Sequence, residues 1–587
     1  MLTTLTAPAF AGTWYIEDGD ITISAGESGN DVTQNNETTY GDTGTVITGK
    51  SDKNTVTIEA KDKGDKVEVK FENVNIDASS RSEAAVSVTG KGDTTIELDG
   101  DNELKSGAGH AGLEHNKTDT SGELTIQDKD NNGSLEAAGG FKGAGIGSAG
   151  SNDAQVKITG GNITATSDDW GAGIGSGSYG TGTVEITGGE INATGGYLGA
   201  GIGGGCNGSG NVTISGGTIT AAGSDGAAGI GGGYYNGATV TITGDAVIKN
   251  ASSTKYGAGI GGGNGSDGNV TISGNAKIEN ATGGYGAAGI GGGAFSSPDK
   301  IGNGNVVIKD NAKIDNVQGG AYGAGIGGGI YGLSNVTIEG NTKVNATGGA
   351  GGAAIGGGAG AENNSDNNGN QITIKSNENG SPTINAVGGG TDEGEKIVIG
   401  GAGIGAGCES NADADITLEG KVTITATAGK DNVAIGANGI EQEFSGLAEG
   451  SSITRYDPEG NDITLPTDPV PAVPSSSGGS ADASVQESIF PGLVVTDKDG
   501  QRISYTSIRG NNVLSIRVGR FTASLRASLA TLRQLRAEGI DTITFQTILR
   551  STTLSVDELL AMGGEDAEVV LTHHIRSSTL TVGGKAV

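Results

Sequence analysis

A glycine-rich heptapeptide, Gly-Ala-Gly-Ile-Gly-Gly-Gly or a close variant, recurs along most of this chain. Its central isoleucine falls at Ile146, Ile174, Ile202, Ile230, Ile260, Ile290, Ile326, Ile355, Ile404 and Ile435, at spacings of 28, 28, 28, 30, 30, 36, 29, 49 and 31 residues. Weaker versions precede it at Val86 and Leu113. A period of this size marks a solenoid or an array, in which each repeat buries its apolar face only against its neighbours.

The order inside each period is constant. From Gly199 to Gly226 the chain reads GAGIGGG, then NVTIS, then GGTITAAG. The last two pieces alternate apolar and polar residues, the period-two signature of a strand. They are built from Val, Ile and Thr, whose branched side chains suit a pleated surface. Gly, Asn, Asp and Ser punctuate the joins, as turns require. No part of the repeat carries a helical pattern. Leucine is nearly absent from the repeats, which excludes a leucine-rich repeat, and a propeller blade needs four antiparallel strands. What remains is an all-β, right-handed parallel β-helix with three strands per coil and about a dozen coils.

Alternation then predicts stacked inward rows, with Val212 and Ile214, Val240 and Ile242, Val270 and Ile272, and Val336 and Ile338 inside. Thr213, Thr241, Thr271 and Thr337 face out. Two residues beyond Ile248, Ile278 and Ile314 stand Asn250, Asn280 and Asn316. The same counting places them inward, as a buried amide ladder. The long gaps before Ile326 and Ile404 are loop insertions.

Composition sets the outer limits. The 587 residues carry a formal charge of −32, and arginine is confined to Arg81 and Arg455 before residue 485, with nine arginines after it. Of the 36 basic and 68 acidic side chains, 11 and 10 lie from residue 485 onward, leaving 25 against 58 in the repeats. That balance argues against a nucleic-acid partner. No apolar run has membrane-spanning length. Met1 to Ala11 end in Ala9-Phe10-Ala11, which has the small-x-small form of a signal-peptide cleavage site. The expected division is a residual signal peptide at 1–12, a β-helix at 13–463, a linker at 464–484 rich in Pro, Ser and Gly, and a small α+β domain at 485–587. In that last domain the apolar spacing of Leu525, Leu529, Leu532 and Leu535 predicts a helix over Phe521 to Glu538. Ser555 predicts a cap for a second helix, with Glu558 at the capping-box position. Its place at the chain end suits docking to a protein or cell-wall partner.

The early coils are poorer in glycine. KVEVKFENVNIDAS, EAAVSV, TTIELDGDNELKSG, GELTIQDKDNNGSLEAAGG and GAGIGS follow one another in that order. This order resembles the clostridial-type carbohydrate-binding β-helix proteins of the cell surface, whose founding example binds cellulose and whose fold is shared with pectate lyases. The resemblance spans about Trp14 to Asp462. It implies a secreted or cell-surface protein with a glycan partner. It also implies a place for calcium, although no calcium ligand set can be matched residue by residue.

The chemistry-bearing residues are few. The G-x-G-x-x-G pattern at Gly199, Gly201 and Gly204 recurs in every coil and opens no helix, so it is structural and not a dinucleotide fingerprint. A lyase would need an arginine base, and the central coils have none. Asp168 and Asp169 are adjacent in one turn, and paired carboxylates alone are not an active site. His110 and His115, with Glu114, are considered as a metal pair but lack a convincing third ligand. Acidic loops such as Asp128 to Asn132 offer oxygen ligands to calcium; no other cofactor is indicated. Cys206 and Cys408 occupy equivalent places six coils apart, beyond disulfide reach.

Aromatic residues make up only 4% of the chain, yet they flank the glycine motif. Before it stand Phe141, Trp170, Tyr197, Tyr256, Tyr285 and Tyr322; after it stand Tyr179, Tyr234, Tyr235, Phe295 and Tyr331. Stacking should bring them into two columns. Sugar C–H faces pack on such rings while the Tyr and Trp polar edges hydrogen-bond. The sequence therefore reads as a non-catalytic, adhesin-like glycan binder, with Asp168 and Asp169 contacting hydroxyls. A β-helix lyase or hydrolase and a structural spacer are the alternatives.

Overall fold

The computed structural model describes residues 11–465 and 492–586 apart from short internal segments, of which 364–368 and 392–398 are the longest. The signal-peptide and linker readings lie almost wholly outside the described residues, as does Phe295. The chain divides into two compact units on either side of residue 472.

The first unit is a parallel β-helix. One inward row runs unbroken from Ile21 through Val56, Val86 and Leu113, and then through all ten repeat isoleucines to Ile435. These four residues and ten isoleucines make fourteen stacked positions, two more than the dozen coils expected. Thirteen steps of about 4.8 Å give a core roughly 60 Å long. Every member of the row is buried. Burying each side chain contributes about 1.5–3 kcal/mol.

Most later coils have two strands of five or six residues and one of only two, as in Asp153–Ile158, Asn162–Ser167 and Ile174–Gly175. The expected rows stand inside: Val212, Val240, Val270 and Val336 beneath Ile214, Ile242, Ile272 and Ile338, all buried. Thr213, Thr241, Thr271 and Thr337 face outward.

The amide ladder is not inside. Coils at Ile248, Ile278 and Ile314 each carry one extra residue. A bulge absorbs it, so Ala251, Ala281 and Val317 take the inward place and the asparagines turn out. A ladder still forms, on the surface. Asn316 Nδ2 donates to Asn280 Oδ1 at 3.1 Å, and Asn341 to Asn311 and Asn311 to Asn275 at 3.2 Å.

The end of the stack needs a substitute for the next coil. Elsewhere the ladder N–H donates to the coil above, as Ile404 does to Ala434 at 2.9 Å. At the last coil the Glu441 carboxylate accepts from Ile435 N–H at 3.1 Å. Arg455 occupies the inward place that Ala426 holds one coil earlier. It is buried, ion-paired with Glu441, and lies over the Phe444 ring at 5.7 Å. One of the two arginines of the repeats is thus a core cap.

The second unit contains a five-stranded antiparallel sheet and a four-stranded mixed sheet. The expected helix is shorter. Ala523–Ser528 is a strand whose alternate residues Ala523, Leu525 and Ala527 are buried, and the helix is Leu529–Ala537. Ser528 Oγ accepts from Thr531 N–H at 3.1 Å and sets that boundary. Ser555 caps Val556–Leu560 as its sequence indicated. Among the described residues no helix is long and apolar enough to cross a membrane.

The glycine after each ladder isoleucine has φ between 129° and 146°. A Cβ at Gly261 would fall far inside van der Waals distance of the Gly291 carbonyl oxygen. Gly261→Ala should therefore destabilise the solenoid by about 2–4 kcal/mol, from conformational cost and overpacking together. A urea or thermal melt against a Thr241→Ala surface control checks this.

Candidate functional site

The glycine motif does more than turn a corner. The ladder isoleucine is the apex of an arch whose two arms are bonded together. The N–H two residues before it donates to the carbonyl two residues after it, as from Ala200 to Gly204 at 3.0 Å and from Ala258 to Gly262 at 2.9 Å. Farther out, each arm bonds the adjacent coil. Cys206 N–H donates to Trp170 O at 2.7 Å, Tyr234 to Leu198 at 3.1 Å, and Ala294 to Tyr256 at 2.8 Å. Residues four before and four after the isoleucine thus meet, one coil apart. The arms lie so close that a Cβ at Gly199, Gly204 or Gly205 would collide with neighbouring backbone. This is the physical reason for the glycine run.

The arms end in aromatic residues. Their meeting sets the two expected columns side by side as one strip, and the rings form three clusters, each within one column. Phe141 and Trp170 have centroids 5.3 Å apart, and Lys142 Nζ lies 5.2 Å from each ring. Tyr234 and Tyr235 stack at 3.8 Å, with hydroxyls 2.7 Å apart and Lys300 Nζ 4.2 Å over Tyr235. Burial, reinforced by that hydrogen bond, pushes the Tyr234 hydroxyl up to about 12. Tyr256, Tyr285 and Tyr322 form an edge-to-face run at 6.1 and 5.6 Å. Phe141, Tyr179, Tyr197, Tyr256, Tyr285 and Tyr331 remain 38–57% exposed. Trp170, Tyr234, Tyr235 and Tyr322 are half-buried.

Several of these rings sit on left-handed backbone. Four residues before the isoleucine, Trp170, Tyr256 and Tyr322 have φ of 64°, 56° and 72°. Five residues after it, Tyr179, Tyr235 and Tyr331 have φ of 67°, 63° and 62°. Bulky residues are uncommon there, and each costs of order 1 kcal/mol or more. Other coils place Gly226, Gly286 and Gly351 at the first of these positions, with φ of 76–88°. The motif spacing revealed the aromatic clustering, but the backbone conformation beneath it was not visible in the sequence.

Asp168 is exposed in the turn before Trp170, and Asp169 is half-buried and bridged to Tyr197. Asp169 Oδ1 is buried with no hydrogen-bond partner among the described residues. It is an acceptor at the edge of the ring strip. The histidines do not come together. His115 is buried, its Nδ1 3.0 Å from Gln155 O, with its pKa lowered by burial. His110 lies outside, 2.8 Å from Glu114. Asp128 spends both carboxylate oxygens on the N–H groups of Asn132 and Gly133. Among the described residues no group of three or more His, Cys, Asp and Glu side chains is placed to hold a metal ion.

The family described as "Beta helix repeat" matches residues 156–178, 184–206, 212–234 and 270–294. These segments each span a ladder isoleucine and both arms of its arch. The first unit of this chain is a parallel β-helix. No curated protein and no solved structure matches it.

Cys206 and Cys408 are buried free thiols, both pushed up to about 11 by burial. Two units above the ordinary value leave about 100-fold less thiolate at neutral pH. Iodoacetamide should accordingly label both thiols at least about 100-fold more slowly in native protein than in guanidinium, as read by mass spectrometry.

Proposed function

We propose that the solenoid is a non-catalytic glycan-binding surface of a secreted or cell-surface protein. A polysaccharide lies along the aromatic strip, stacking on Trp170 and the exposed tyrosines. Asp169, with its unpartnered oxygen, and Asp168 accept from sugar hydroxyls. The observation that carries this reading is the left-handed backbone at Trp170, Tyr256 and Tyr322. Glycine would stand there without strain, and Gly226, Gly286 and Gly351 hold the place in three other coils, while Lys142 and Leu198 share the left-handed φ in two more. Rings retained against a local cost, half-exposed and in line, suit stacking on a partner. The resemblance to cellulose-binding β-helices makes cellulose the first polysaccharide to test. A lyase has less support, because both arginines of the solenoid are tied in ion pairs, Arg81 to Glu83 and Arg455 to Glu441.

The backbone supplies a clean test. Trp170→Gly, Tyr256→Gly and Tyr322→Gly combined should leave thermal stability unchanged or raised. Retention on insoluble cellulose, xylan or chitin should fall at least about tenfold. Lower stability with unchanged retention would make the rings structural and overturn the proposal.

A further inference from the structure

The arched arms do not exist in the first coils. After Val56 and Val86 the chain continues as a straight strand, Val56–Ala60 and Val86–Gly90, and does not fold back. The first arm to reach back is that of Ile146, where Gly150 N–H donates to Gly109 O at 3.1 Å. Where later coils carry a returning arm, the early ones leave a groove of about 430 Å³.

Its floor is a column of hydroxyls. Thr22, Thr57 and Ser87 are register partners on successive coils, and Glu114 is next in line. From the following coil onward, Gly147 and its successors hold this place. Glu114 is 5% exposed, and its oxygens accept from Ala111 N–H at 3.1 Å and Asn116 Nδ2 at 2.8 Å, beside His110 Nδ1 at 2.8 Å. The wall is formed by Asp20 and by the Arg81–Glu83 ion pair.

We infer that this groove is a second ligand site, which takes the end of a non-acidic sugar chain, neutral or amino-bearing. Hydroxyls one coil apart are spaced comparably with the advance of a sugar ring along an extended chain. The fixed carboxylate of Glu114, the imidazole beside it and the Arg81 guanidinium give acceptors and donors for adjacent sugar hydroxyls. Three carboxylates against one guanidinium, on a strongly acidic domain, repel uronic acids. The lining has no aromatic ring, so recognition here is by hydrogen bonds. The site is separate from the ring strip, and neither reading needs the other.

The test is a glycan array of soluble neutral, amino and uronic oligosaccharides on the full chain, followed by calorimetry on the best ligand. At least one neutral or amino oligosaccharide should bind. Thr57→Trp, an outward position that fills the groove without touching the core, should weaken it at least tenfold, as should Glu114→Gln. The three-glycine variant of the ring strip should bind it unchanged. Failure of every neutral and amino ligand, binding that survives Thr57→Trp, or preference for a uronic oligosaccharide would each overturn the inference.

Discussion

The contact between glycine backbones of successive coils governs this molecule. After each ladder isoleucine the chain takes a φ that side-chain-bearing residues rarely adopt, and the space a Cβ would need belongs to the next coil's carbonyl. With no side chain there, the two arms of each arch close on each other and on their neighbours through main-chain hydrogen bonds. The entropic cost of so much glycine is offset by the aliphatic rows that the same stacking buries. The surface follows from this arrangement. Because the arms converge, whatever residues end them are brought to one line along the solenoid.

Much of the fold was legible in the sequence because a β-helix repeats one decision in each coil. The isoleucine period set the stacking row, and Val-Thr-Ile alternation set the inward faces. The misses have separate local causes. Asn250, Asn280 and Asn316 were placed by counting in twos from an isoleucine, and a single inserted residue reversed their direction. Arg455 carries no pattern that marks it as inward; it is a cap only because no coil follows. In the second unit, Leu525 fits both helical spacing and strand alternation, and the Ser528 cap decides between them.

The candidate sites were legible in proportion to their periodicity. Rings four or five residues from the isoleucine stood out against a chain poor in aromatics. Their alignment side by side depends on main-chain bonds between the arms of adjacent coils, which no side chain announces. The groove was harder still. Glu114 and His110 drew attention as metal ligands because of their residue types. Their shared environment arises from what the early coils lack, the returning arm, and the sequence shows this only as a shortage of glycine after Val56 and Val86.

Register through the glycine ladder is the central claim, and it predicts distances that depend on coil number and not on residue number. Spin labels at Thr213 and Thr337, four coils apart, should give a narrow electron–electron distance distribution displaced from that of Thr213 and Thr417, six coils apart, by about 10 Å. The loop insertions between Thr337 and Thr417 should add nothing to it. A displacement that grows with the inserted residues, or a broad distribution for either pair, would contradict the account.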